Sequence, residues 1–86
     1  MIRANDKKDE EVRVDYDEDH DILYLRIGKP TPSEAEDIAD NVYVDYDAFT
    51  NKLVGATIIG YSKKSKEWLA KILPKKLGKH LPSLTV

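Results

Sequence analysis

The chain has 86 residues, no cysteine, a 35% share of charged residues and a formal net charge of −2. That length allows one domain and not two, and the missing cysteines exclude disulfides, thiolate metal sites and a thiol nucleophile. No apolar run approaches the roughly 18–20 residues that cross a bilayer, so no membrane role is expected and the composition predicts a soluble protein of the cytoplasm.

The charge is unevenly placed. Residues 1–60 hold 7 Lys/Arg against 15 Asp/Glu, a balance of −8, whereas residues 61–86 hold 7 Lys against one acid, Glu67, a balance of +6. Such a chain either folds its basic end against its acidic part or offers two faces to different partners.

The start, MIRANDKKDEE, is charged and lacks an apolar segment, so it does not read as a secretory signal. Residues 1–9 are expected to be a frayed, solvated end. Residues 11–17 alternate, with Val12, Val14 and Tyr16 on one side and Arg13, Asp15 and Asp17 on the other. That is the period of a half-buried strand. The acidic DEDHD at 17–21 predicts a turn, because Asp is depleted in strands and favours turns. ILYLRI at 22–27 resumes strand character with apolar side chains on both faces.

Residues 28–40, GKPTPSEAEDIAD, form a connection broken by Gly28, Pro30 and Pro32. SEAE within it matches a capping box. A short helix and an irregular or extended edge are both open there. VYVDYD at 42–47 then repeats the acidic triplet Asp15-Tyr16-Asp17 as Asp45-Tyr46-Asp47, DAFTN predicts a second turn, and KLVGATII at 52–59 predicts another strand. The expected result is two β-hairpins, about 11–27 and 41–59. Two copies are too few for a solenoid.

Beyond Tyr61 the period lengthens. Trp68, Leu69, Ile72, Leu73 and Leu77 recur at steps of three and four, one face of a helix. Ser62 or Ser65 can cap its start, Pro74 ends or kinks it, and Gly78 suits a stop. So short a helix needs the sheet to persist, and it is expected to dock Trp68, Leu69 and Ile72 there. Residues 79–86 are expected to be a tail. One helix covers one face of a sheet, yet Ile22 and Tyr24 point away from Leu23, Leu25 and Ile27. The second face therefore carries apolar area, which predicts a homodimer through that face or through a strand edge.

Chemistry in the acidic triplets is weighed against structure. Asp15, Asp17, Asp19 and Asp21 alternate like the opening of an EF-hand loop. The positions that need Gly and Glu hold His20 and Arg26, so that reading fails. Acid–base catalysis would need burial or crowding to raise a carboxyl pKa. A solvated turn screens both effects, and no nucleophile motif surrounds Ser62, Ser65 or Ser83. Asp17 and Asp47 are instead expected to accept backbone N–H groups of the turns that follow them. The basic segment could meet phosphates, but it holds no Arg and no nucleic-acid-binding signature, so nucleic acid is disfavoured as a partner.

YDEDHDILYLRI followed by NVYVDYDAFTNKLVGATII resembles a prokaryotic family of very short proteins, domain of unknown function 2283. Its features fall on Tyr16-Asp17, on Asp21 to Tyr24, on Val44 to Asp47 and on Val54 to Ile58. The resemblance spans about residues 12–60 and implies a small antiparallel sheet. Thr57 stands where the family often has Glu, and Asn51 where it often has Gly. A catalytic or metal-binding role for that Glu would be lost here. By analogy with small proteins of similar kind, the resemblance implies an antitoxin-like binding role.

The expected molecule is a single α+β domain over 1–86. It has an antiparallel sheet of two hairpins, about four strands within 10–60, covered on one face by a basic amphipathic helix at 62–78. Its expected function is non-enzymatic protein binding, without catalytic residues, cofactor or metal. Contacts to a ligand or partner are expected at Asp17, Asp21, Tyr24, Asp45, Asp47, Lys63, Lys64 and Lys66. The alternatives are a carboxylate-based metal or small-ligand site around Asp17, Asp21, Asp45 and Asp47, and nucleic-acid contact through the lysines.

Overall fold

The alternating run and the apolar run after the acidic turn form strands β1 (Val12–Asp17) and β2 (Ile22–Ile27), paired antiparallel with Val14 opposite Leu25. The computed structural model describes residues 11–84; the frayed start expected at 1–9 lies outside the described residues, as do the last two residues of the tail. Three more strands follow: β3 (Ser33–Ala39), β4 (Val42–Asp47) and β5 (Leu53–Ile59). The order across the sheet is β1-β2-β5-β4-β3, with every pairing antiparallel. Pairing of β2 with β5 joins the first hairpin to the rest.

The protein is α+β with a five-stranded sheet, one strand more than expected. The additional strand is β3, which resolves the SEAE segment as an extended edge. Its residues are exposed except for Ala39. A segment this short, with no apolar stripe, cannot dock a helix, whereas pairing with β4 supplies backbone hydrogen bonds at once. Glu34, Glu36 and Asp37 make it a charged edge, a common guard against edge-to-edge association.

Among the described residues, three other than Gly take positive φ: Asp21 (56°), Asn41 (61°) and Asn51 (64°). Asp21 and Asn41 directly precede β2 and β4, and Asn51 stands two residues before β5. Asp and Asn adopt this left-handed conformation more readily than other side chains, which lets the three turns close tightly.

The basic C-terminal segment is broken, not continuous. A 3-10 turn (Tyr61–Lys63) leads to α1 (Lys66–Ile72) and then α2 (Lys75–Gly78). Ser65 caps α1, its hydroxyl accepting the Trp68 N–H at 3.1 Å. Leu73 is extended (φ −83°, ψ 152°), as residues before proline tend to be, so Pro74 separates the helices.

The core occupies one face of the sheet. Leu23, Leu25 and Ile27 of β2, Val42 and Val44 of β4, and Ala56 and Ile58 of β5 pack with Tyr61, Leu69, Leu73 and Leu77. Trp68, expected in this core, is 40% exposed. Adjacent helical residues point about 100° apart, so Leu69 and Trp68 cannot both be central, and the smaller side chain fits under the helix. The tail is docked: the buried Tyr61 hydroxyl donates to the Pro82 carbonyl, and Lys66 Nζ donates to Ser83 Oγ at 2.9 Å.

Leu69→Ala is expected to cost about 3 kcal/mol in urea-induced unfolding. Trp68→Ala, although it removes the larger side chain, is expected to cost clearly less. The reverse order in equilibrium denaturation would contradict this placement of the helix.

Candidate binding site on the open sheet face

Antiparallel register decides which side chains meet on the face away from the core. Asp15 stands opposite Tyr24, Tyr24 opposite Thr57, Thr57 opposite Tyr43, and Tyr43 opposite Asp37. The result is a row across all five strands whose centre is Tyr24, Thr57 and Tyr43, all half-buried. Ile22 and its partner Ile59 lie beside it on β2 and β5; Ile59 is 36% exposed.

The next row toward the 28–32 connection is polar. Arg13 faces Arg26, Arg26 faces Gly55, and Gly55 faces Asp45. Because Gly55 has no side chain, Arg26 can lie across β5. Its Nη1 is shared among the Leu25 carbonyl (3.0 Å), the Ala56 carbonyl and Asp45 Oδ2 (both 3.3 Å). A Cβ at Gly55 would stand 2.3 Å from the Leu25 carbonyl oxygen and 3.1 Å from Arg26 Nη1. The Arg26 guanidinium carbon also lies 5.4 Å from the centre of the Tyr24 ring, within cation–π range. Asp45 is largely covered, its side chain 13% exposed. Burial pushes its carboxyl above the usual value, against the opposing pull of Arg26. Between this row and the connection is a cleft of about 150 Å³, bordered by Arg13, Arg26, Gly28, Lys29, Ser33 and Asp45.

The four carboxylates considered as one ligand site are not brought together. Asp17 and Asp21 flank the tip of the first hairpin, beside the end of β5, whereas Asp47 lies beyond its start. Among the described residues no three His, Asp or Glu side chains are placed to hold a metal ion.

Asp21 is the structural centre of its turn. Its carboxylate accepts the Tyr16 hydroxyl, the Ser62 N–H (2.9 Å) and the Ser62 hydroxyl (2.8 Å). Its carbonyl accepts the N–H groups of Gly60 (2.8 Å) and Tyr61 (3.1 Å). The Tyr16 bond is the main cause that holds Asp21 below the ordinary carboxylate value. The same bond raises Tyr16 from 10.0 to about 12. Asp47 caps its turn as expected, Oδ1 accepting the Phe49 (2.8 Å) and Thr50 (2.9 Å) N–H groups, which lower its pKa. Asp17 does so weakly: the His20 N–H lies at 3.3 Å, and its principal partner is the His20 ring at 2.9 Å, which lowers its pKa.

Of the remaining expected contact residues, Tyr24 is on the open face. Lys63 ends the 3-10 turn, Lys64 follows it, and Lys66 begins α1. Arg13, Arg26 and Gly55 were not among the expected site residues. The mirror spacing of residues 12–17 and 22–27 about their turn carried the signal that Arg13 faces Arg26.

The model for "Protein of unknown function (DUF2283)" matches residues 13–62. The chain belongs to the DUF2283 family. The match runs from Arg13 to Ser62, so it takes in nearly the whole sheet and the Asp21–Ser62 latch, and it stops before α1. No curated protein and no solved structure matches the chain. Asn51 takes a left-handed φ, which Asn adopts readily. Thr57 sets an uncharged side chain between the two tyrosines of the open face.

Gly55→Ala is expected to destabilise by about 2 kcal/mol or more, since the added methyl meets backbone and not a movable side chain; chemical denaturation measures it. Asp21→Asn is expected to lower the melting temperature more than Asp47→Ala, and Asp47→Ala more than Asp17→Ala. The lowered carboxyl values of Asp17, Asp21 and Asp47 contribute stability that is present above the ordinary carboxylate value of 3.8 and lost as pH falls through the folded values. Asp45, being raised, acts with the opposite sign. Thermal melts are therefore expected to drop below about pH 4, and less steeply in Asp21→Asn. Tyr16 is expected to ionise near pH 12 by ultraviolet titration, and Tyr16→Phe to remove that late transition.

Proposed function

We propose that the protein is a non-enzymatic binding module of the cytoplasm whose recognition surface is the open sheet face, and that its first partner there is a second copy of itself. The observation that carries this reading is the uncharged centre of the row: Tyr24, Thr57 and Tyr43, with Ile22 and Ile59 alongside. An apolar stripe with two tyrosines, bordered by Asp15 and Asp37, has the composition of an interface core within a polar rim. Tyr24 and Tyr43 flank Thr57 one strand to either side. A twofold axis along β5 would therefore set Tyr24 of one copy against Tyr43 of the other, with the two Thr57 side chains on the axis.

The strand edge is the poorer surface, because β3 presents Glu34, Glu36 and Asp37 there. A small domain also gains from covering a second face, having little core of its own. Recognition of a further protein, including an antitoxin-like role, belongs to the same proposal and rests on analogy of size and kind.

Sedimentation equilibrium at tens of micromolar is expected to give twice the chain mass. Thr57→Glu, which places like charges on the axis, is expected to return the monomer with an unchanged far-ultraviolet circular dichroism spectrum. A monomeric wild-type protein at that concentration would refute the self-association.

A further inference from the structure

The polar cleft at the connection-side end of the open face holds positive charge that the fold leaves unbalanced. Arg13 and Arg26 stand directly opposite each other on neighbouring strands. Like charges in that position destabilise a sheet. Arg26 is offset by Asp45 at 3.3 Å. Arg13 donates from Nη2 to the Gly28 carbonyl at 3.2 Å, which fixes the guanidinium at the cleft but adds no negative charge. Among the described residues neither Arg13 nor Lys29 has an ion-pair partner. Both border the same cleft of about 150 Å³, where Ser33 adds a hydroxyl.

The acids nearby are engaged or stand outside the cleft, Asp15 among the latter, in the adjoining groove that Arg13 and Arg26 also line. Asp45 is held by Arg26. Asp47, at the mouth of the wider groove beyond, is occupied by the Phe49 and Thr50 N–H groups, and Glu11 borders that groove too. The cleft thus has three cationic side chains, one of them neutralised, approaching from two strands and a loop.

We propose that this cleft binds a tetrahedral oxyanion of the phosphate class, either the free ion or the phosphoryl group of a small monoester. Arg13 and Lys29 supply the unpaired charge, Arg26 supplies its remaining N–H groups, and Ser33 supplies a neutral donor. Guanidinium N–H groups match phosphate oxygens in pairs, and their convergence from different directions suits a tetrahedral anion better than a planar carboxylate. Binding would also relieve the repulsion between the facing arginines.

The test is a titration of the full-length protein followed by ¹H–¹⁵N correlation spectra, with inorganic phosphate, phenyl phosphate, acetate and sodium chloride at matched ionic strength. Saturable shifts are expected for the phosphates at Gly28, Lys29 and Ser33 and at the side-chain Nε–H signals of Arg13 and Arg26. Tighter binding of phenyl phosphate would assign the monoester, and equal or weaker binding the free ion; each is a form of the proposal. Arg13→Gln is expected to weaken binding at least tenfold. Asp45→Asn is expected to tighten it by removing a negative charge from the wall, and Lys75→Gln, on α2, is expected to change nothing. Should Arg13→Gln disturb the fold, Lys29→Gln on the loop serves instead, with the same loss expected. The proposal is overturned if sodium chloride or acetate gives the same shifts, if the shifts gather on the lysines of α1 and α2, or if the cleft variants bind as the wild type does. Phosphate binding by a protein that sediments as a monomer would leave the cleft standing without the self-association.

Discussion

The close approach of β2 to β5 at Gly55 is the constraint on which the rest of the sheet rests. These two strands join the N-terminal hairpin to β4 and β3, so every long-range element meets along their seam. On the core side the seam is Leu25 against Ala56, both fully buried. On the other side the missing Cβ of Gly55 lets Arg26 cross β5 and reach Asp45. A glycine inside a strand ordinarily weakens it. Here it removes a steric block, and the same vacancy that admits strand pairing also positions the cation beside the cleft.

The acidic triplets work through hydrogen-bond geometry. Asp47 closes the β4–β5 turn by accepting two backbone N–H groups. Asp21, outside the repeated triplets, does more, because it ties the first hairpin tip to the segment that leaves β5. Its four polar partners come from β1 and from the start of the C-terminal segment, so the turn and the entry to the helices are held as one unit. Charge on these carboxylates is favoured by the donors around them. That is the state of structural acceptors and the opposite of what a general acid needs.

The two faces of the sheet are thereby given different work. One is closed by Leu69, Leu73 and Leu77 into the core. The other is left with a zoned surface: an aromatic and aliphatic centre toward the hairpin tip, and a basic cleft toward the connection. A surface zoned in this way offers an apolar patch and a patch of positive charge side by side. The acidic edge strand and the lysines of the C-terminal segment lie outside both zones, which is where solvating charge is expected.

Much of this architecture was legible in the residue pattern. Period-two alternation placed β1, β2, β4 and β5, the change to a longer period placed the helical segment, and Asp and Asn marked the turns. The Tyr-Asp, Val-Asp-Tyr-Asp and Val-Gly features also pointed to the DUF2283 family, and the family match bears that out. Strand β3 was left ambiguous because polar residues carry no period, and a capping-box pattern competes with an extended edge until a neighbour offers its backbone. The expectation that Trp68 packs in the core beside Leu69 fails, since both sit on the apolar arc and the space between helix and sheet admits the smaller side chain. Local sequence thus determined the elements, because alternation, capping and turn chemistry act over a few residues. Tertiary structure alone decided which side chains meet across strands of different hairpins: strand order and register set Tyr24 beside Thr57 and Tyr43, brought Arg26 to Asp45, and separated Asp17 from Asp47. Those outcomes depend on backbone pairing between segments distant in the chain, which no short-range preference encodes.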